Sequence, residues 1–394
     1  MSFGKLGAMG RGFGALGSLG RAGLPYWINL TPATTTKVLA GFQAMQAGTR
    51  NMVKVWTGSS VDRGVDEGAS PYNSQYPLSV AEQQATLYRA DGIASGANNW
   101  YGISGTNFAD YMSRDSRCAS TGSATSGVTA VPCQGGSELE FPTAAGTFRF
   151  TPQQNTNFAE IYYQDSTAGR AFNWNADGGS NTLLTTAGLN TIVRATGSLG
   201  SVAAHTVNLS WSAGFVRIYG IDCYDNTRKE ITIRQWAASG GTVSGMIDNT
   251  GSPSSGRLRQ LALFPPDVVM GDIGVVNSWR AVGVAVSTVK TQAETYIDAI
   301  KAANSDFIFV VPPFDSGSVG NTANQQAYID AIIASCISKG CAVFNLRSAP
   351  GWTSKAASDA AGYTRSNDAV HKTIAGQAST AELMMPGLQY AMGI

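Results

Sequence analysis

The stretch MVKVWTGSSVDRG, residues 52–64, decides how the chain begins to fold. Its first five residues form a short, mostly apolar run of the kind that becomes a buried β-strand. The run stops before Gly58, which is followed by two adjacent serines, and residues 79–92 then show helical spacing and end in glycine. A strand, a serine-bearing turn and a helix make one α/β unit, with two hydroxyl groups at the end of the strand.

The same pattern of strand and helix returns in the last part of the chain. Apolar runs that predict strands occupy residues 230–237, 266–276, 306–313 and 341–347. Residues 288–304 and 324–340, between these runs, have the spacing of amphipathic helices. Apolar strands interleaved with helices predict a flavodoxin-like, doubly wound and mainly parallel sheet, because runs this apolar need helices on both faces.

Residues 105–226 have a different character. Helical spacing disappears there, and short alternating segments are separated by turn residues at intervals of roughly 8–12 residues. This pattern predicts an inserted antiparallel β-sandwich domain. We therefore divide the chain into a glycine-rich arm (1–24), a first α/β part (25–104), the β-domain (105–226) and a second α/β part (227–394).

The composition limits the classes of partner. Charged residues make up 13% of the chain and the formal net charge is +1, so nothing predicts binding to nucleic acid or to an anionic membrane. The chain has five cysteines without a C-x-x-C pair and only two histidines, which argues against a clustered zinc site. We expect neither a metal nor another cofactor.

Polar residues and glycines follow the predicted strands at the points where the strands end. In chain order they are Ser59, Ser60, Ser239, Gly240, Gly241, Asn277 and, before the last helix, Asp368 and His371. In an open α/β sheet, the loops at the carboxyl ends of the strands converge on one rim. A hydroxyl, glycine amides, a side-chain amide and an Asp–His pair are what a serine hydrolase needs as nucleophile, oxyanion donors, base and orienting carboxylate.

Two histidines compete for the role of the base. Asp368 and His371 are three residues apart. In a helical turn, that spacing lets the carboxylate accept the Nδ1 proton and leaves Nε2 free to take a proton from a serine. His205 lies in a predicted strand of the β-domain and has no acidic neighbour in the sequence. The spacing therefore favours His371 as the base and a structural or surface role for His205.

Four blocks of the chain resemble the motifs of the SGNH/GDSL hydrolase family and occur in the family's order. GSSVDRG (58–64) resembles the first block, with Ser60 in the position of the nucleophile and Gly64 in that of the later glycine. The second, third and last blocks have similar counterparts in SGGTVS (239–244), DIGVVNSW (272–279) and DAVHKT (368–373), respectively. The resemblance spans the two α/β parts and leaves the predicted β-domain aside.

This resemblance implies a flavodoxin-like α/β fold and ester hydrolysis through an acyl-serine. Ser60 would be the nucleophile, His371 the base and Asp368 the residue that orients the base. The oxyanion would be bound by the backbone amides of Ser60 and Gly240 and by the side chain of Asn277.

Several positions depart from the family pattern. Ser59 stands in place of the aspartate beside the nucleophile, and it is the alternative nucleophile. Asn277 is followed by Ser278 rather than by aspartate, and Lys372 stands where proline is common. Gly241 is the alternative to the preceding glycine as an oxyanion donor. None of these departures removes a catalytic group.

We expect a serine esterase that removes O-acyl groups, acetyl above all, from a surface polysaccharide. The glycine-rich start and the predicted inserted β-domain also resemble virion-associated members of the family. The expected context is therefore a phage-type virion, as a tail or capsid decoration, or the extracellular space. Residues 1–24 would bind other virion proteins because glycine lets backbones approach closely, and we expect a homo-oligomer. The alternative is a virion structural protein, or a receptor- or glycan-binding protein, with a catalytically weak or inactive hydrolase domain.

Overall fold

The computed structural model describes residues 24–63, 78–102, 112, 115–126, 136, 138–142, 145–248, 256–317, 320–366 and 368–394. Gly64 and all of the predicted arm except its last residue lie outside this set.

A seven-stranded sheet lies at the centre of the described α/β part. Its strands, in spatial order, are β1 (Trp27–Ile28), β18 (Ala342–Phe344), β17 (Asp306–Val310), β16 (Val268–Gly271), β2 (Met52–Thr57), β15 (Ile231–Gln235) and β3 (Ser95–Gly96). All neighbouring strands pair in parallel except β1 and β18, which are antiparallel. The predicted mainly parallel sheet is confirmed.

Helices cover both faces of this sheet. Those of the described residues are α1 (Thr36–Gln46), α2 (Ser60–Arg63), α3 (Val80–Ala90), α4 (Val243–Met246), α5 (Arg257–Leu263), α6 (Val275–Arg280), α7 (Val286–Ala302), α8 (Gln325–Ser338), α9 (Lys355–Ala360) and α10 (Ile374–Met392), with 3-10 turns at Pro32–Thr34, Thr322–Asn324 and Leu346–Ser348. Phe42 of α1 and Leu388 of α10 share an apolar cluster with Trp56, whereas Ile297 of α7 belongs to a second cluster with Val55. Successive residues of β2 thus bury their side chains on opposite faces. Within the described part of the chain, no helix is both long and apolar enough to cross a membrane.

Two antiparallel sheets occupy the region predicted as the β-domain. One contains, in order, β11 (Thr182–Thr185), β10 (Ala171–Ala176), β13 (Val207–Ala213), β8 (Gly146–Phe150) and β5 (Cys118–Gly122). The other contains β12 (Thr191–Ala203), β9 (Thr156–Asp165), β14 (Val216–Tyr224), β7 (Leu139–Phe141) and β6 (Thr125–Ser126), with β4 (Asn99–Tyr101) also paired to β14. Phe148 and Trp174 of the first sheet share an apolar cluster with Ile161 and Ile218 of the second. The two sheets have a common core, and the domain boundaries stay a prediction.

The predicted strand at residues 266–276 is too long. β16 ends at Gly271, and a turn leads into α6, so that Asn277 lies on a helix rather than directly after a strand. Gly271 and Gly274 both have positive φ angles, and a Cβ on Gly271 would overlap the Thr57 carbonyl of the neighbouring strand. Because such backbone is strained for other residues, these glycines end the strand although the apolar run continues.

Candidate active site

Ser60 begins α2 directly after β2, at the carboxyl end of the sheet. Gly58, between them, has a φ of +131°, and a Cβ at this position would overlap Oδ1 of Asp272. The two serines that follow have different partners. The Ser59 hydroxyl donates to Oδ2 of Asp272 at 2.6 Å, whereas Oγ of Ser60 lies 2.7 Å from Nε2 of His371. The geometry therefore separates the two candidate nucleophiles in favour of Ser60.

Asp368 holds the other side of the His371 ring. Its carboxylate oxygens lie 2.9 Å and 3.0 Å from Nδ1, and Oδ1 also accepts the backbone N–H groups of Val370 and His371, each at 2.8 Å. The predicted helical turn is wrong, because the chain bends here without forming a helix. The pair is held by side-chain-to-backbone hydrogen bonds instead.

The surroundings of Asp368 keep its carboxylate ionised. Burial by itself would raise the pKa of Asp368, but the hydrogen bond and charge of His371 and the two backbone donors hold this pKa well below its usual range. An ionised carboxylate at Nδ1 favours the tautomer in which Nδ1 carries the proton and Nε2 accepts. Since Ser60 and His371 are only 7% and 3% exposed, bulk water screens this arrangement weakly.

The loops after β2, β15 and β16 meet beside Ser60. The Ala238 amide donates to the Gly58 carbonyl at 2.9 Å, and Nδ2 of Asn277 donates to the Gly241 carbonyl at 3.0 Å. The Gly241 amide donates to Ala238 within its own turn, whereas the Gly240 amide has no acceptor among the described residues. Within the described residues, the Gly240 amide and one N–H of Asn277 thus have no acceptor and can donate to an oxyanion.

Sequence reasoning missed a buried polar network beneath these groups. Asp272 accepts the hydroxyl and the amide of Ser59, and Nζ of Lys372 lies 3.0 Å from Oδ1 of Asp62. Burial, and then the charge of Asp62, raise the pKa of Asp272 above its usual range. The sequence did contain a signal for this network in its departures from the family pattern, since Ser59 and Lys372 are two of the positions that depart from it.

His205 lies elsewhere and has other partners. It sits in the turn between β12 and β13, so its predicted place in a strand is wrong. Its Nδ1 lies 2.7 Å from Oδ2 of Asp177, an acidic partner 28 residues away in sequence, and its Nε2 lies 2.7 Å from the Ser201 carbonyl. Both ring nitrogens face acceptors that are not serine hydroxyls.

A concave region of about 550 Å³ lies at the end of the parallel sheet opposite to Ser60, where β2 and β16 begin. Its charged groups are largely paired with one another, as Arg50 with Asp267 at 2.5 Å and Arg234 with Asp222 at 2.7 Å. Among the described residues, no group of three or more His, Cys, Asp or Glu side chains is arranged to hold a metal ion.

The fold of this chain is shared with a protein of solved structure. No protein-family model and no curated protein matches the chain. A solved structure of a peptidoglycan O-acetylesterase matches 93% of this chain and 99% of its own, with a TM-score of 0.70 and 12% sequence identity. At that identity the likeness establishes a shared fold over nearly the whole length of both chains.

Two other solved structures are less similar to this chain, each with a TM-score of 0.31. A family two carbohydrate esterase from Clostridium thermocellum is 12% identical and covers 65% of this chain and 95% of its own. A carbohydrate esterase family 2 enzyme from Corynascus thermopiles, with its carbohydrate binding domain, is 13% identical and covers 70% and 100%.

Proposed function

We propose that the protein is a serine esterase that removes O-acetyl groups from a polysaccharide. The observation that carries this proposal is the continuous line of hydrogen-bonding groups from Oγ of Ser60 to Nε2 of His371, at 2.7 Å, and from Nδ1 to Asp368, at 2.9 Å. The fold shared with a peptidoglycan O-acetylesterase supports the class of ester and substrate.

The geometry supports a two-step mechanism. Oγ of Ser60 attacks the acetyl carbonyl while Nε2 of His371 takes the hydroxyl proton, and Asp368 stabilises the imidazolium. The amides of Ser60 and Gly240 and the Asn277 side chain bind the oxyanion. His371 then gives this proton to the departing sugar oxygen, which leaves as a free hydroxyl, and an acetyl-serine remains. Water, deprotonated by the same imidazole, attacks this ester, and His371 returns the proton to Oγ of Ser60 as the ester bond breaks, which releases acetate and restores the serine hydroxyl.

The decisive experiment measures acetate released from O-acetylated xylan and O-acetylated peptidoglycan. Ser60→Ala should lower turnover by roughly four to six orders of magnitude, because the nucleophile is lost. Ser59→Ala is the matched variant, and it should lose only about tenfold, because it removes one hydrogen bond to Asp272 and no reacting atom. Wild-type turnover in the Ser60→Ala variant would contradict the proposal.

Three further proposals rest on the sequence alone, namely the virion location, the homo-oligomer and the binding of other virion proteins by the arm. Nearly all of the arm lies outside the described residues. Deleting residues 1–24 should leave acetate release unchanged and abolish incorporation into the particle. If the truncated protein is still incorporated, the arm is not the anchor.

A further inference from the structure

An ion pair joins the segment of the nucleophile to the segment of the base. Asp62 lies two residues after Ser60 on α2, and Lys372 directly follows His371. Nζ of Lys372 lies 3.0 Å from Oδ1 of Asp62, and the two side chains are 0% and 1% exposed. Since the partners are 310 residues apart in sequence, the contact forms only in the folded protein and joins two sides of the site.

The second oxygen of Asp62 extends this link to a third segment. Oδ2 accepts the backbone N–H of Asp272 at 2.9 Å. The Asp272 carboxylate in turn accepts the Ser59 amide at 2.8 Å, the Ser59 hydroxyl at 2.6 Å and the Gly274 amide at 2.9 Å. Gly274 leads directly into α6, the helix that carries Asn277. The segments that carry Ser60 and His371 and the helix that carries Asn277 are thus joined by one set of buried hydrogen bonds and an ion pair.

Stability alone is a poor explanation for such a pair. Removing two charges from water is costly, and replacing a buried ion pair by neutral side chains of similar volume is often neutral or stabilising. What the pair supplies is a fixed distance and direction between two chain segments. A displacement of about 1 Å between reacting groups can lower a rate by about a hundredfold.

We propose that Asp62 and Lys372 form a positioning pair, which sets the separation of Ser60 and His371 for catalysis. This inference rests on the esterase function proposed above. It assigns a use to Lys372, which occupies a position where the SGNH/GDSL pattern commonly has proline. The pair touches no reacting atom and acts only through the residues beside it.

The test separates positioning from folding by removing both charges together. Lys372→Met alone leaves Asp62 buried and unpaired, so it should lower both the melting temperature and kcat. The double variant Asp62→Asn/Lys372→Met has no unpaired charge and should regain most of the melting temperature. We expect its kcat to stay about 10- to 100-fold below that of the wild type with little change in KM, because the restraint is still absent.

A matched control is the ion pair of Arg234 and Asp222, which is also buried but lies outside the site, with side chains 8% and 1% exposed. The double variant Asp222→Asn/Arg234→Met should keep kcat close to the wild-type value, whatever its melting temperature. A second variant at the site, Asp62→Glu, keeps both charges and lengthens the link by one methylene. It should lower kcat by about tenfold while the protein stays folded.

The readouts are kcat and KM for a soluble acetyl ester, the rate of labelling by a fluorophosphonate, and the melting temperature. The inference is overturned if kcat recovers together with the melting temperature in the double variant, or if Asp62→Glu retains full kcat. A wild-type protein that neither hydrolyses nor labels would overturn the proposed function itself, which is a distinguishable result.

Discussion

The two histidines of the chain each have an aspartate at Nδ1, yet they lie in different surroundings. In the β part, Nδ1 of His205 lies 2.7 Å from Asp177 and Nε2 lies 2.7 Å from a backbone carbonyl. At the rim of the parallel sheet, Nδ1 of His371 lies 2.9 Å from Asp368 and Nε2 lies 2.7 Å from the Ser60 hydroxyl. The two pairs differ in what faces Nε2.

That difference decides what each imidazole can do. A carbonyl oxygen only accepts, so Nε2 of His205 must carry a hydrogen to bond it, and this ring has no nitrogen available as a base. A hydroxyl also donates, so Nε2 of His371 can accept the proton of Ser60. An Asp–His pair is therefore not by itself a sign of catalysis, and the group beyond the ring is the informative one.

The largest expected effect comes from deleting each ring in turn. His371→Ala should lower kcat/KM for an acetyl ester by about five to six orders of magnitude, because the base and the acid of both steps are lost. His205→Ala should retain the wild-type value. Equal losses in the two variants, in a steady-state ester assay, would remove the distinction between the pairs.

The two aspartates provide the next comparison. Asp368→Asn should lower kcat by about 10⁴, because the amide no longer fixes the tautomer or stabilises the imidazolium. Asp177→Asn is the matched control and should leave kcat unchanged. If Asp368→Asn were as active as the control, the orienting role of Asp368 would be wrong.

A smaller effect is expected at the oxyanion donors beside Ser60. Asn277→Ala should lower kcat by about 10² to 10³ with little change in KM, since the amide donates to charge that develops in the transition state. Asn208→Ala, on β13 near His205, is the control. A loss that falls on KM alone would show that Asn277 binds the substrate rather than the oxyanion.

The smallest effect distinguishes the pairs by stability rather than by rate. Burial by itself would lower the pKa of His205, but the Ser201 carbonyl and the Asp177 carboxylate raise it above its ordinary value. A raised pKa in the folded state adds stability below about pH 6.5, and this contribution is lost as the pH rises through the folded pKa.

His205→Ala should therefore lower the melting temperature more near pH 5 than at high pH. Melting curves of wild type and variant across this range measure the difference. A gap that widens towards alkaline pH would have the opposite sign and would contradict the assigned partners.

Local sequence patterns predicted the elements and the rim at which Ser60, Asn277 and His371 meet, because parallel strands place their carboxyl ends together. They did not predict where the strand before Asn277 ends, since two glycines with positive φ interrupt an apolar run. They also missed the partners of His205 and Lys372, because those aspartates lie 28 and 310 residues away along the chain. Such contacts are made only by the folded structure.

Labelling of the intact protein by a fluorophosphonate probe, with the labelled site mapped by mass spectrometry of its peptides, tests directly whether Ser60 is the nucleophile. We expect a single label on Ser60 in the wild type and in His205→Ala, and a much slower reaction in His371→Ala. A label on Ser59 or on another residue, or no label on the wild-type protein, would contradict it.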